Sequence, residues 1–174
     1  WHKRTPEAFQ KSIESFQRAI VLDPGYANAY AGLADVYALL GSVPYDIRPP
    51  HEVMPKARDA ALKALSLDDS LAEAHTALAN TRLFYGRDLP GAEREFQAAI
   101  RLDPGYATAH QWHTEYLWAM GRMDDALKEI QRAQELDPVS LVTKVSLARH
   151  FYYARRYDQA VARLRETLEM NPNF

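Results

Sequence analysis

Leu102-Asp103-Pro104-Gly105-Tyr106-Ala107 repeats, letter for letter, the earlier stretch Leu22-Asp23-Pro24-Gly25-Tyr26-Ala27. A six-residue identity inside a chain of 174 residues indicates a duplicated structural element. Weaker copies of this joint motif occur at residues 67–72, 136–141 and 170–174. Copies spread along the whole chain predict a repeat protein, in which each repeat buries its apolar side against its neighbours.

The proline of the joint motif measures the period. The interval from Pro104 to Pro138 equals the interval from Pro138 to Pro172. This period of about 34 residues is one that helical repeats use. Asp69 stands in the proline position of an earlier copy, and its interval to Pro104 is one residue longer. The interval from Pro24 to Asp69 is longer than the period by about 11 residues.

Each repeat contains two helical patterns, called here its first and second helix. Residues spaced by four and three lie on one face of a helix. In the second helices, small residues recur at Ser12, Ala57, Ala92, Ala126 and Ala160, each followed four positions later by Phe16, Ala61, Phe96, Ile130 and Leu164. The pattern predicts nine helices, over residues 6–21, 27–40, 51–66, 72–85, 89–101, 107–120, 123–135, 141–154 and 157–169.

The helix ends carry recognisable stop signals. Gly41, Gly86 and Gly121 follow first helices, where a glycine with a positive φ angle often ends a helix. The joint prolines end second helices, because the residue before proline avoids helical backbone angles.

The recurring small, large and aromatic positions, followed by a joint proline, resemble the tetratricopeptide repeat. First helices show the same pattern in Leu33-Ala34, Leu78-Ala79 and Leu147-Ala148. The resemblance implies an all-α fold, a right-handed solenoid of stacked antiparallel helix pairs. It divides the single array 1–174 into a half repeat at 1–26 and repeats at 27–71, 72–106, 107–140 and 141–174.

The excess residues fall in the second repeat, at residues 42–50, which contain three prolines. Proline excludes a helix there, so we expect an extended loop between the two helices. The loop is either a neutral surface insertion or a cover for one edge of a binding groove. Pro55 follows closely and fits only if it lies in the first turn of the next helix.

The array starts half a repeat in and ends at a joint motif. Terminal repeats usually need a polar outer face. We therefore expect a fragment of a larger protein, or an array whose ends pair with other chains.

The composition argues against several kinds of partner. The formal charge is −2 and no basic stripe is visible, which argues against nucleic acid. No apolar run approaches the roughly 18 residues of a membrane-spanning helix, so membrane insertion is not expected. The absence of cysteine removes thiolate sites and fits a reducing, cytoplasmic compartment.

His110 and His113 raise an alternative, a metal-binding or enzymatic site with Glu115 nearby in the sequence. A zinc site needs further ligands and hydrogen-bonded support that the sequence does not show. His110 also occupies the early aromatic position of its repeat, as His75 does one repeat earlier, which favours packed histidines. No phosphate-binding or nucleophile motif occurs, so we expect no catalytic residue, metal or cofactor.

The family resemblance implies a ligand site on the concave face, at the second, fifth, ninth, twelfth and thirteenth residues of each first helix. The candidate peptide-binding residues are Asn28, Asp35, Glu73, Thr76, Asn80, Phe84, Gln111, Glu115, Trp118, Arg149, Tyr152 and Tyr153. Aromatic residues and arginine are the usual anchors of binding sites. The alternative is that these aromatic side chains only pack between repeats.

Among the charged candidates, three acids stand against Arg149. The matching ligand is a protein or peptide, neutral to basic, with an apolar anchor. Family members that clamp acidic chaperone tails use lysines on the first helices. The corresponding positions here hold Ala31, Thr76 or Gln111, so such a clamp is not expected.

Stretches such as Pro90–Phe96 and Ala107–Trp112 resemble the C-terminal repeats of large bacterial signalling and regulatory proteins. That resemblance implies a scaffold or sensory sector of a larger bacterial regulator. The remaining alternative is self-association through the open ends of the array, giving a homo-oligomer.

Overall fold

The computed structural model describes residues 6–42 and 47–172. The helices are α1 (Pro6–Leu22), α2 (Ala27–Gly41), α3 (Pro50–Leu67), α4 (Ala72–Thr81), α5 (Leu89–Leu102), α6 (Ala107–Ala119), α7 (Met123–Leu136), α8 (Leu141–Tyr153) and α9 (Tyr157–Met170). A π-helical turn, Arg82–Gly86, extends α4. No strand occurs in the described residues, and the all-α repeat fold expected from the sequence is confirmed.

The chain forms two compact units, Trp1–Asp103 and Pro104–Phe174. In the N-terminal unit, α3 and α4 meet through Ala60, Ala61, Ala77 and Leu78. In the C-terminal unit, α7 and α8 meet through Ile130, Ala133 and Leu147. Small side chains at these positions let helix backbones approach closely, which explains the recurrent alanines of the sequence pattern.

The predicted insertion 42–50 falls partly outside the described residues, which resume at Ile47. The backbone N–H of Arg48 donates to the carbonyl oxygen of Leu40 over 3.0 Å, which ties the returning chain to the end of α2. A Cβ on Gly41 would lie 2.7 Å from Val53 Cγ2. Glycine at this position therefore allows α3 to pack closely against α2.

The expectation for Pro55 was wrong. Helix α3 begins at Pro50, with Pro49 before it, so Pro55 lies in the second turn. The prolines at the start supply helical φ angles where the backbone N–H groups have no helical partner. Pro55 then costs the helix one hydrogen bond, to His51, without ending it.

The expected role of two glycines was also wrong. Of Gly41, Gly86 and Gly121, only Gly121 has a positive φ, of 70°. Arg87 and Arg155 occupy the same left-handed conformation, with φ of 51° and 58°. Gly41 lies within α2 and Gly86 within the π-helical turn, so neither ends its helix in the way predicted.

The π-helical turn explains the longer period of the third repeat. The interval from Asp69 to the left-handed Arg87 is one residue longer than the interval from Pro104 to Gly121. The interval from Pro138 to Arg155 equals the interval from Pro104 to Gly121. A π-helical turn holds one residue more than the α-helical path it replaces. The turn therefore absorbs the additional residue and keeps the following joint in register.

Candidate peptide-binding site

The C-terminal unit gathers five of the predicted binding residues at the ends of α6 and α8. The Arg149 guanidinium lies over the indole ring of Trp118, 4.7 Å from its centroid. Tyr153 meets the same indole edge-on, with ring centroids 5.3 Å apart. Cation–π and edge-to-face contacts of this kind fix the relative positions of the rings.

Glu115 and Arg149 form an ion pair between α6 and α8. The side chain of Glu115 is 11% exposed and that of Arg149 is 29% exposed. Burial raises the pKa of Glu115, and the positive charge and hydrogen bond of Arg149 oppose that rise. The ion pair thus holds the Arg149 guanidinium over Trp118 and places a negative charge beside it.

His150 contacts the indole ring of Trp118 and was not among the residues predicted from the sequence. Trp118 Nε1–H donates to His150 Nδ1 over 3.2 Å. Burial and the positive charge of Arg156 lower the pKa of His150, while Asp124 opposes them. A neutral imidazole can accept this hydrogen bond. The sequence held no signal for the pair, because its partners lie far apart in the chain, on two helices.

Two tyrosines form the exposed part of the cluster. Tyr152 is 59% exposed and Tyr153 is 50% exposed. Tyr152 also contacts Tyr157 at the start of α9, with ring centroids 5.8 Å apart. Tyr157 is itself 55% exposed and belongs to the same aromatic surface, although it lies on a second helix and outside the predicted set. We call Trp118, Arg149, Tyr152, Tyr153 and Tyr157 the aromatic cluster.

The other predicted residues lie in different environments. Asn28 and Glu73 are exposed and Phe84 is half-buried. The buried ones are Asp35, Thr76, Asn80 and Gln111. The Thr76 hydroxyl donates to the carbonyl oxygen of Ala72 over 2.9 Å. Asn80 Oδ1 has no hydrogen-bond partner among the described residues.

The π-helical turn changes which residues correspond between repeats. Phe84, Trp118 and Tyr152 each lie three positions before the left-handed residue of their repeat. An aromatic side chain therefore occupies the same place in the third, fourth and fifth repeats. By the same count Tyr85 corresponds to Tyr153, and it is 44% exposed. Counting forward from the joint motif did not reveal Tyr85.

The two packed histidines form the same bridge one repeat apart. His75 Nδ1 lies 2.6 Å from Glu95 Oε2, and its Nε2 lies 3.0 Å from the Asp69 carbonyl oxygen. His110 Nδ1 lies 2.5 Å from Glu129 Oε2, and its Nε2 lies 3.2 Å from the Pro104 carbonyl oxygen. Each histidine thus ties a second helix to the joint that precedes its own helix.

The candidate metal residues His110 and His113 both lie next to Glu129. His113 Nδ1 lies 3.5 Å from Glu129 Oε1, and its ring stacks on Tyr116. Glu115, the third member of the proposed set, pairs with Arg149. Among residues 6–42 and 47–172, no group of three or more histidine and acidic side chains has the arrangement of a metal site.

Antiparallel helix pairs that recur at a regular interval, joined by proline turns and packed through alanines, define a helical repeat protein. Residues 81–140 and 145–174, more than half of the chain, match the sequence model of the tetratricopeptide repeat, and the chain belongs to this family. The fold is that of protein–protein interaction scaffolds.

The transcriptional regulator HilA of Salmonella typhimurium is 24% identical over 157 residues. The match covers 90% of this chain but 28% of HilA, so the chain spans less than a third of that relative. HilA of Salmonella typhi matches to the same extent.

Solved structures show the same fold at low sequence identity. A tetratricopeptide repeat protein of Thermus thermophilus has a TM-score of 0.78 at 19% identity, over 95% of this chain and 84% of its own. MamA has a TM-score of 0.62 at 22% identity, over 98% and 92%. YrrB, described as having an unusual peptide-binding site, has a TM-score of 0.60 at 20% identity, over 96% and 80%.

Proposed function

We propose that this chain is a non-catalytic module that binds peptide segments of partner proteins, with the aromatic cluster as its principal anchor site. The observation that carries the proposal is the exposure of Tyr152 and Tyr153 beside the Arg149–Trp118 pair. Exposed aromatic rings on a rigid support lose little freedom when they bind. They therefore favour association, as aromatic residues do at many interfaces.

The cluster favours a neutral or basic ligand with an apolar anchor. Glu115 compensates the charge of Arg149, which leaves aromatic ring faces as the main recognition groups. A leucine or aromatic ligand side chain would pack on Tyr152 and Tyr153. A lysine or arginine would be attracted to the same ring faces by a cation–π interaction.

Asn80 supports the same proposal in the N-terminal unit. This residue is 1% exposed and its Oδ1 lacks a partner among the described residues. Buried polar atoms are usually paired with protein or water. Since this oxygen is shielded from direct contact, we propose that it accepts a hydrogen bond from an ordered water molecule, which a bound peptide can contact in turn.

The proposed setting is the interaction sector of a larger bacterial regulator in the cytoplasm. Its support is the similarity to HilA and the resemblance of the repeat sequences to regulator C-termini. None of the helices in the described part of the chain is both long and apolar enough to cross a lipid bilayer.

The test is selection from a displayed library of short unstructured peptides, followed by affinity measurement on variants. We expect enriched peptides to carry an aromatic or leucine residue and a neutral or positive net charge. The double variant Tyr152→Ala/Tyr153→Ala should weaken binding at least tenfold. Tyr26→Ala removes a similarly exposed ring, 46% exposed at a joint, and should leave binding unchanged. Equal affinity in both variants would refute the cluster as the anchor site.

Self-association is a second candidate function, favoured by the C-terminal end of α1. Val21 and Leu22 are 80% and 87% exposed. They line a shallow cavity of about 620 Å³ together with Glu14, Gln17 and Arg18. Molar mass measured over a range of concentrations tests this function, and a monomer at every concentration would exclude it.

A further inference from the structure

His150 is a buried histidine that contacts the aromatic cluster without belonging to its exposed surface. The residue is 3% exposed, and its Nδ1 accepts the hydrogen bond from Trp118 Nε1–H over 3.2 Å. The two rings also stack, with centroids 6.3 Å apart, and Phe151 meets the imidazole edge-on at 5.8 Å. The imidazole therefore has ring neighbours on both α6 and α8, and its contact with Trp118 connects it to the cluster.

The hydrogen bond determines where the imidazole of His150 can carry a proton. Because Nδ1 accepts, the hydrogen of the neutral ring lies on Nε2, and a second proton has only Nδ1 to bind. The indole Nε1–H of Trp118 is a donor and cannot accept. In the charged ring, two N–H groups would therefore face each other across the 3.2 Å between the nitrogen atoms. Protonation of His150 is incompatible with this arrangement and must separate the two side chains.

The charged residues near this contact come from every element around it. They are Glu115 of α6, Asp124 of α7, Arg149 of α8 and Arg156 at the start of α9. Glu115 and Arg149 pair with each other. Of the other two, Arg156 disfavours a charged imidazole and Asp124 favours it. Burial and Arg156 together outweigh Asp124, so the pKa of His150 lies below 6.5 and the ring is neutral at neutral pH.

The position of the indole ring determines the positions of the exposed rings beside it. Tyr153 meets Trp118 edge-on, with centroids 5.3 Å apart, and Tyr152 contacts Tyr153 at 5.9 Å. The Arg149 guanidinium also lies over the indole, 4.7 Å from its centroid. A Trp118 side chain that moves away from His150 therefore removes the support of the rings on which we expect a peptide to pack.

We propose that His150 makes the aromatic cluster sensitive to acid: the cluster binds a peptide while His150 is neutral and releases it when His150 is protonated. This inference rests on the proposed function, because it assigns a regulation to the same site. The coupling is reciprocal, so a bound peptide must make His150 harder to protonate by the same factor. Since one proton is exchanged, the affinity falls by at most about tenfold per pH unit.

The probe is the blocked peptide acetyl-Gly-Leu-Lys-Phe-Gly-amide, which carries two apolar anchors and no group that titrates between about pH 4.5 and about pH 7.5. Its affinity for the full chain is measured by NMR titration at these two pH values, and circular dichroism verifies that the chain stays folded. We expect the wild-type affinity to be at least threefold lower at the acid value.

Two histidine variants identify the group that titrates. The asparagine of His150→Asn offers an oxygen that can accept the indole hydrogen bond and does not titrate, so this variant should bind the probe equally at both pH values. His51→Asn removes an exposed histidine on α3 and should retain the pH dependence of the wild type.

A further measurement needs no variant. The NMR signal of the His150 ring is followed against pH in the wild-type chain, with and without saturating probe peptide. We expect the bound peptide to move the titration of His150 to lower pH. A titration that the peptide leaves unchanged would overturn the inference.

The results separate this inference from the proposed function. Absence of probe binding at the neutral pH would contradict the proposed function itself. Equal wild-type affinity at both pH values would overturn the inference alone. A loss of affinity in acid that persists in His150→Asn would also overturn it, and would assign the effect to Glu115, whose pKa is raised by burial.

Discussion

Glu115 and Arg149 pair with each other from the same position of two consecutive first helices. Removing Arg149 leaves the largely buried Glu115 carboxylate without a partner charge. Removing Glu115 leaves the Arg149 guanidinium unpaired, but water can still reach it. We expect Arg149→Met to lower the free energy of unfolding by about 3 kcal/mol and Glu115→Gln by about 1 kcal/mol. Denaturant titration of both variants measures the difference.

His75 makes the stability of the N-terminal unit depend on pH. The hydrogen bond to Glu95 raises the pKa of His75 above 6.5 and outweighs burial, which lowers it. The stabilisation is therefore complete below pH 6.5 and is lost as the pH rises through the folded-state pKa. We expect the free energy of unfolding of the wild type to exceed that of His75→Phe by about 1 kcal/mol at low pH. The difference between the two should be smaller at high pH.

Unfolding curves at several pH values check this prediction, with phenylalanine preserving an aromatic ring in the early position. Glu95→Gln should remove the same pH dependence, because it removes the negative acceptor. A difference between wild type and His75→Phe that grows with rising pH would contradict the assignment.

Glu129 gives the C-terminal unit the opposite dependence on pH. Burial would raise the pKa of Glu129, but hydrogen bonds with His110 and His113 lower it from 4.5 to about 2. The contribution of ionised Glu129 to the free energy of unfolding is present above pH 4.5 and is lost as the pH falls toward 2. We expect Glu129→Gln to cost roughly 2 kcal/mol at neutral pH and to reduce acid sensitivity below pH 4.5. Acid titration of wild type and variant, followed by circular dichroism, provides the measurement.

The helices could be predicted from the sequence because the signals that specify them are local. The positions of Ala126 and Ile130 already define the buried side of α7, and the joint prolines set the ends of second helices. The predicted helix ranges agree with the observed ones to within one residue, apart from the π-helical turn. The longer interval between Asp69 and Pro104 signalled an additional residue there, but only the left-handed Arg87 locates it.

The candidate site was less accessible to sequence reasoning because its contacts join distant residues. Position within a repeat selected Trp118 and Arg149 as candidates, yet nothing in the sequence indicated that His150 accepts the indole hydrogen bond. The position of a residue within its repeat also does not determine how exposed its side chain is. Tyr152 and Asn80 were selected by the same rule, and one is 59% exposed while the other is 1% exposed.

Arg87, Gly121 and Arg155 occupy one left-handed position in three consecutive repeats, and only one of them is glycine. A non-glycine residue in this conformation costs about 1–2 kcal/mol relative to glycine. Part of this advantage of glycine is lost, because glycine has a larger conformational entropy in the unfolded state. We expect Arg155→Gly to stabilise the protein by about 0.5–1 kcal/mol, measured as an increase in the unfolding midpoint.

The reverse substitution at the equivalent position is the matched control. A Cβ on Gly121 would meet no atom within 4 Å, so Gly121→Ala tests the backbone angle without a steric clash. It should destabilise by about 1 kcal/mol. A destabilising Arg155→Gly would instead show that the arginine side chain stabilises the turn through its own contacts.

The hydrogen bond between Trp118 and His150 makes the indole a reporter of imidazole protonation. His150 accepts through Nδ1, so it must be neutral, and burial with the nearby charge of Arg156 lowers its pKa below 6.5. As the pH falls from 6.5 through that lower value, protonation removes the acceptor and places a cation against the ring. The free energy of unfolding should fall in the same window, since the folded state binds this proton less readily than the unfolded state does.

Tryptophan fluorescence measures this protonation directly. We expect the emission to decrease in the same pH window, because an imidazolium quenches an adjacent indole. His150→Gln should abolish the decrease, since glutamine does not titrate. Trp118→Phe should abolish it as well, while Trp112 still emits. A fluorescence change that persists in both variants would place its source elsewhere in the chain.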